Sequence, residues 1–115
     1  MPTQVHTANI KADMPTADQA PGRVKFALET GKRMGAKAVK IIHGYGSTGQ
    51  GGRIRTATRR DLADRKQKGL IRDFIPGEDF SIFNTATLQA FALCPELRQD
   101  PDLDRHNNGV TIVLL

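Results

Sequence analysis

Cysteine, tryptophan and long apolar runs are scarce or missing in this chain of 115 residues. The single cysteine, Cys94, cannot form a disulfide within the chain, so a reducing compartment such as the cytoplasm is expected. No segment approaches the roughly 20 apolar residues of a membrane-spanning helix, and residues 1–11 lack the apolar stretch of a signal peptide. The composition therefore predicts a cytoplasmic protein of about one domain, spanning 1–115, with no membrane partner.

Metal-ligating residues are also sparse. Cys94 has no neighbouring histidine or cysteine, and neither His6 nor His106 has a partner at the spacing of a metal-binding motif. A zinc site is therefore not expected, and Cys94 is interpreted as a packed core residue.

Acidic residues are scarce in the first part of the chain. Lysine and arginine outnumber acids by seven to three in residues 1–52 and by eight to two in residues 53–72, whereas acids outnumber them by seven to two in residues 73–115. This segregation predicts a basic working face and an acidic segment that lies elsewhere or competes for that face. If residues 79–106 cover the face, deletion of 84–106 should strengthen polyanion binding. The alternative is a solvated surface without a partner.

Hydrophobic periodicity predicts an α/β fold in which strands and helices alternate. The expected architecture is a small two-layer sandwich, with a four-stranded mixed sheet and two helices on one face. Residues 79–106 read as an irregular insertion with a strand at 80–83 and a short helix at 85–93. The other predicted elements are strands at 5–12, 38–42, 70–76 and 110–115 and helices at about 21–35 and 51–68.

A glycine-rich loop follows the apolar strand at 38–42, and an arginine-rich helix follows the loop. Glycines let the backbone turn with positive φ and bring its N–H groups close to a ligand, while a helix N-terminus offers unpaired donors and partial positive charge. The order strand, loop and basic helix therefore predicts a phosphate-binding site at the carboxyl edge of the sheet.

Two nucleotide-binding motifs resemble this loop only in part. The six residues 44–49 match G-x-G-x-x-G, but a dinucleotide-binding domain needs more strands, and the next strand does not end in an acid that could hold a ribose. A Walker loop requires lysine and then serine or threonine where this chain has Gln50 and Gly51. Neither motif is satisfied.

The sequence His-Gly-Tyr-Gly-Ser-Thr-Gly-Gln-Gly-Gly at 43–52, the basic helix after it and the final Asn-Asn-Gly-Val-Thr-Ile-Val-Leu at 107–114 resemble the Smr (small MutS-related) domain family. The similarity covers approximately residues 5–76 and 107–115. It implies a βαβαββ fold similar to the C-terminal domain of translation initiation factor three. It further implies binding to DNA or RNA and, in several members, metal-assisted endonuclease activity.

The first strand departs from the family pattern. Smr domains that cleave usually carry Leu-Asp-x-His-Gly there, whereas this chain reads Ile-Lys-Ala-Asp-Met at 10–14. The resemblance therefore implies that an acid and a histidine have been lost, with Lys11 and Asp13 in their places. Asp13 remains an oxygen donor that could hold Mg²⁺ or Mn²⁺ beside His43.

Three functions follow from these observations. The leading hypothesis is a nucleic-acid-binding domain, the second is a metal-assisted DNA or RNA endonuclease with His43 and Asp13 as catalytic residues, and the third is a nucleotide-phosphate-binding module. His43 could also simply fix the turn by a hydrogen bond to the loop. The predicted phosphate-binding residues are His43, Gly44, Tyr45, Gly46, Ser47, Thr48, Gly49, Gly51, Gly52, Arg53, Arg55 and Arg59.

Overall fold

Strands and helices alternate along the chain. The structure is a computed structural model, and it describes residues 4–13, 15–44 and 51–115. A short 3₁₀ turn comes before the first helix, a second follows the third strand and a third follows the last helix. The elements are β1 (Val5–Asn9), α1 (Ala20–Arg33), β2 (Ala38–Ile42), α2 (Gly51–Gln67), β3 (Asp73–Pro76), α3 (Thr85–Leu93) and β4 (Val110–Leu114), with 3₁₀ turns at Ala17–Gln19, Gly77–Asp79 and Pro95–Gln99.

The four strands form one mixed sheet, as the sequence predicts, and their order in it is β1-β2-β4-β3. β1 runs parallel to β2, and β4 runs antiparallel to both β2 and β3. The two central strands are buried along almost their whole length, which accounts for their continuous apolar, β-branched sequences. The carboxyl ends of β1 and β2 therefore meet at one edge of the sheet, beside the start of β4.

Helices α1 and α2 pack together on one face of the sheet, which confirms the predicted two-helix face. At Gly31 of α1 the backbone comes so close to β2 that an added Cβ would lie 2.6 Å from Val39 Cγ2. This close packing explains why glycine is accommodated inside a helix, where it is otherwise unfavourable. The buried residues of this core are Ile10, Ala20, Val24, Ala27, Leu28, Val39, Ile41, Ile54, Leu62, Ile71 and Val113.

The opposite face of the sheet is covered by the segment that reads as an insertion. Phe80, Phe91 and Leu97 are buried against Ile75 of β3 and Ile112 of β4. The rings of Phe80 and Phe91 pack edge to face, with their centroids 6.5 Å apart. Residues 79–106 are thus part of the core and lie on the face opposite to α2. Their deletion would expose a sheet face, so the expected gain in binding on removal of 84–106 has no structural basis.

The predicted strand at 80–83 is wrong. Phe80 follows a 3₁₀ turn and enters the core, and the next residues form the turn that starts α3. Asn84 caps that helix, with its Oδ1 accepting a 2.9 Å hydrogen bond from the Thr87 amide. The helix itself begins and ends at the predicted residues.

Two strands are shorter than predicted because nearby groups take their backbone hydrogen bonds. The Arg23 guanidinium binds the carbonyl oxygens of Ile10 and Ala12, which ends β1 early. After α2, the Leu70 amide binds the Arg65 carbonyl in a helix-ending turn, so β3 starts only at residue 73.

Candidate nucleic-acid interface

His43 and Gly44 leave β2 at the edge of the sheet where the glycine-rich sequence begins. Both amides donate to the carbonyl oxygen of Gly109, at 3.1 Å and 3.0 Å, and so tie the end of β2 to the start of β4. The φ of Gly44 is +80°, a value that a residue with a side chain rarely adopts. The turn after His43 therefore requires glycine at this position.

The imidazole of His43 is fully buried, and both of its nitrogens have partners. Because a carbonyl oxygen can only accept, Nδ1 carries the proton and donates to Gly44 O at 2.8 Å. The other nitrogen, Nε2, lies 2.8 Å from Thr111 Oγ1 and accepts from that hydroxyl. The ring thus fixes the turn at the start of the loop, which is one of the two roles left open by the sequence.

Burial lowers the pKa of His43 from 6.5 to about 4, against the opposing effect of the Gly44 carbonyl. The positive charges of Arg59 and Arg55 contribute smaller parts of this decrease. The imidazole is therefore neutral near pH 7. In this geometry a charged His43 cannot be the donor that binds a phosphate, and neither nitrogen offers a free lone pair to a proton or a metal.

Arg59 is held inside the fold by Glu78 of the 3₁₀ turn after β3. Its Nη1 and Nη2 bind the two carboxylate oxygens at 2.7 Å and 2.6 Å, and its Nε lies 3.3 Å from Thr111 Oγ1. Burial would raise the pKa of Glu78, but the guanidinium outweighs this effect and holds the pKa below its ordinary value. Arg59, which the sequence predicts to bind phosphate, links α2 to β4 and pairs with a carboxylate in this structure.

Apart from Arg55, the remaining basic residues of α2 and of the segment just after it divide into two groups. In the last turn of the helix and just after it, Arg65, Lys66 and Lys68 each pair with an aspartate at 2.7–2.9 Å. Nearer the N-terminus, Arg53 and Arg60 are exposed, and within the described ranges no carboxylate lies close enough to either to form an ion pair. Exposed positive charge without an ion-pair partner therefore lies at positions 53 and 60 of α2, before the paired residues of its last turn.

A shallow groove runs along this end of α2. It separates the helix from the 3₁₀ turn before α1, and we call it the arginine groove. Guanidinium groups and small side chains together line it. The residues that line it are Ala17, Gly52, Arg53, Arg55, Thr56, Ala57 and Arg60. The predicted residues Gly52, Arg53 and Arg55 thus lie together.

Lys11 is a further basic residue at this edge, and the sequence reasoning did not assign it to the binding site. A Cβ on Gly44 would lie 3.4 Å from Lys11 Cδ, so the exposed lysine extends beside the start of the loop. The signal that could have identified it is topological. Residues that follow two adjacent parallel strands come to the same edge of the sheet.

Asp13, the second predicted catalytic residue, is exposed, with φ of +64°. It belongs to another depression, which we call the β1 groove, between β1 and α1. His43 is not among the residues of that groove. The β1 groove is lined by His6, Ala8, Asn9, Ile10, Asp13, Gln19, Gly22, Arg23, Phe26, Ala27 and Thr30. Over the described ranges, no group of three or more His, Cys, Asp or Glu residues could hold a metal ion.

Part of the predicted loop lies outside the described residues: Tyr45, Gly46, Ser47, Thr48 and Gly49. Gly51 and Gly52 are the first two residues of α2. The Gly52 carbonyl accepts a 2.9 Å hydrogen bond from Thr56 Oγ1 within the first turns of the helix.

The fold and this edge together define a small mixed α/β domain with a basic groove. Comparison of the chain with models of protein families, with characterised proteins and with solved structures gives no significant match. Within the described residues, no helix combines the length and the apolar character needed to cross a membrane.

Proposed function

We propose that this chain is a nucleic-acid-binding domain of the Smr type that holds phosphates of DNA or RNA in the arginine groove and with the adjoining glycine-rich sequence. The observation that carries the proposal is the distribution of ion pairs on α2. Aspartates neutralise the basic residues of its last turn and the lysine just after it, whereas Arg53 and Arg60, earlier in the helix, are exposed without a carboxylate partner in the described structure.

Successive phosphates of a nucleic acid suit this arrangement. Arg53 and Arg60 lie about two helical turns apart along α2, and Lys11 adds a third cation near Gly44. Guanidinium groups bind phosphate oxygens through paired N–H donors, and such contacts depend little on base sequence. We therefore expect the domain to bind DNA and RNA alike, through the charge and shape of their phosphate backbones.

The geometry supports binding better than it supports catalysis. His43 is neutral and saturated with hydrogen bonds, and Asp13 faces a different groove. A module for free nucleotides is also less well supported, because the arginine groove is open and shallow, whereas small-molecule sites usually enclose most of the ligand. Binding of a polymer needs no such enclosure.

The salt dependence of binding tests the proposal. Affinity for a labelled duplex and for a single strand would be measured by fluorescence anisotropy between 50 and 200 mM salt, about the range over which phosphate contacts change affinity strongly. The variant Arg53→Gln/Arg60→Gln should bind more weakly. Because each lost phosphate contact reduces the slope of log K against log salt by about 0.7 to 0.9, the slope should fall by between about 1 and 2.

A matched control removes the same charge at the other end of α2, from its last turn and from the residue just after it. Lys66→Gln/Lys68→Gln takes away two exposed lysines that already pair with aspartates, so affinity and slope should change much less. Equal losses in the two variants would mean that only net charge matters, and would contradict a site at the arginine groove. No salt-dependent binding by the unaltered chain would overturn the function.

A further inference from the structure

The β1 groove is a second depression, and its character differs from that of the arginine groove. Its floor is apolar, formed by Ala8 of β1, by Ile10 just after that strand and by Ala27 of α1. The side-chain amides of Asn9 and Gln19 and the hydroxyl of Thr30 surround this floor. An apolar floor with a few polar groups at its rim is the usual composition of a site for a flat organic group.

Phe26 forms one wall of the β1 groove, and 66% of its surface is exposed. One turn earlier in α1, Gly22 has no side chain, and no atom lies within 4 Å of the position that a Cβ would take there. Since residues four apart lie on the same face of a helix, the missing side chain leaves open space next to the ring. A large aromatic face is thus accessible from within a groove.

The charges of the β1 groove favour a base over a phosphate. Asp13 places a carboxylate at the rim, which repels phosphate but can accept an N–H from the edge of a base. The Arg23 guanidinium is engaged with the carbonyl oxygens of Ile10 and Ala12, so it is partly used in shaping the loop after β1. Phosphates would therefore lie outside this groove.

The arginine groove is adjacent. The 3₁₀ turn Ala17–Gln19 separates the two depressions: its first residue lines the arginine groove and its last lines the β1 groove. Cationic side chains for phosphates and an aromatic wall for a base are thus combined on one side of the molecule. Single-stranded nucleic acid is the polymer that needs both, because its bases are free to stack on aromatic rings.

We propose that the β1 groove receives an unpaired base, stacked on Phe26, from a single-stranded nucleic acid whose phosphates lie in the arginine groove. This inference rests on the proposed function and specifies its substrate class. It predicts a preference for single strands over duplexes, because a paired base cannot enter the groove.

The test compares two phenylalanines with different surroundings. Phe26→Ala should weaken binding of a single strand of about ten nucleotides by roughly 5-fold to 100-fold, the range expected for one stacked base. It should leave duplex binding unchanged. The matched control is Phe83→Ala: Phe83 is 89% exposed, lies just before α3 and lines neither groove, so the affinity should stay the same.

A second variant fills the groove while leaving Phe26 in place. The open space at Gly22 accommodates a larger side chain, so Gly22→Leu should leave the fold intact and weaken single-strand binding as Phe26→Ala does. A strand of the same length that lacks its bases should bind the unaltered protein and the Phe26→Ala variant equally, because only phosphates remain to be bound.

The outcomes separate this inference from the proposed function. If single strands bind with the expected loss in Arg53→Gln/Arg60→Gln but Phe26→Ala and Gly22→Leu have no effect, the base site is wrong and phosphate binding stands. Equal affinity of the protein for a mononucleotide and for the single strand would also overturn the proposal of a base site. If neither strand nor duplex binds, both proposals fail.

Discussion

The hydroxyl of Thr111 in β4 lies 2.8 Å from Nε2 of His43, which follows the neighbouring strand β2. The same hydroxyl oxygen lies 3.3 Å from Nε of Arg59, whose guanidinium binds both carboxylate oxygens of Glu78. One threonine therefore connects the centre of the sheet, helix α2 and the turn after β3. This network holds in place the edge of the sheet from which the glycine-rich sequence starts.

Thr111→Val should reduce the free energy of unfolding by about 1–3 kcal/mol, because it leaves the buried Nε2 of His43 without a partner at nearly unchanged side-chain volume. Urea unfolding followed by circular dichroism measures the change. Thr7→Val on β1 is the control, since Thr7 is exposed and valine suits a strand. Equal stability of the two variants would show that the hydroxyl contributes nothing.

Acidification should destabilise the protein through His43. Because burial lowers its pKa from 6.5 to about 4, the unfolded chain binds more protons than the folded chain between those values. The contribution of the neutral ring is complete above pH 6.5 and is lost as the pH falls towards 4, at a limiting rate of about 1.4 kcal/mol per pH unit.

The measurement is the free energy of unfolding at several pH values between 5 and 7. The carboxyls of Glu78 and Asp102 also have lowered pKa values, but their effects fall mainly below this range, near and below their ordinary values of 4.5 and 3.8. His43→Gln, which cannot titrate, should reduce the slope. An unchanged slope in that variant would assign the pH dependence to other groups.

Lys40 should be the strongest single attachment of the acidic segment to the sheet. Its ammonium group is almost completely buried and binds Asp100 at 2.9 Å and also Asp102. Burial alone would lower the pKa of Lys40, but the two carboxylates outweigh it and hold the pKa above its ordinary value. Lys40→Met should cost about 2–4 kcal/mol of stability, because two largely buried carboxylates lose their counter-charge.

A triple variant distinguishes this cause from poor packing of the methionine. Adding Asp100→Asn and Asp102→Asn to Lys40→Met removes the unpaired charges, so much of the lost stability should return. A triple variant less stable than Lys40→Met would contradict the explanation. Thermal and urea unfolding of the three proteins would provide the comparison.

Local sequence patterns predicted the elements of the fold well, whereas contacts between distant residues could not be predicted from them. The bounds of β2 and α3 are as expected, because an apolar strand and a capped helix are local signals. Lys40 was recognisable only as a charged residue in an apolar strand. Its aspartates come about 60 residues later, in the segment that shows no clear periodicity.

In the candidate site, too, features set by neighbouring residues could be predicted, whereas features set by distant contacts could not. The arginines of α2 and the turn at Gly44 follow from neighbouring residues, but the state of His43 depends on Thr111, 68 residues further on. The pairing of Arg59 with Glu78 likewise needs the folded sheet. Burial and charge compensation arise from tertiary contacts, so the sequence alone left both roles of His43 open.

Gly77 should tolerate no side chain. An added Cβ would overlap the Asn107 carbonyl oxygen and would lie 2.7 Å from Val110 Cγ2, and a backbone atom cannot move aside as a flexible side chain can. Gly77→Ala should therefore cost about 3 kcal/mol or more in unfolding free energy. The control is Gly22→Ala in α1, which meets no atom within 4 Å and should raise stability by up to about 1 kcal/mol.

The most direct test of the catalytic alternative is incubation of the protein with single-stranded RNA, and separately with supercoiled plasmid, in Mg²⁺, in Mn²⁺ and in chelator. We expect retarded but uncut substrate in all conditions, because both nitrogens of His43 are engaged and Asp13 lines a different groove. Cutting that requires the metal and disappears in Asp13→Asn, an exposed position where asparagine should not disturb folding, would instead establish an endonuclease. Its mechanism would then require a rearrangement that frees His43 from its hydrogen bonds and brings it close to Asp13, since the two residues do not share a site in the present geometry.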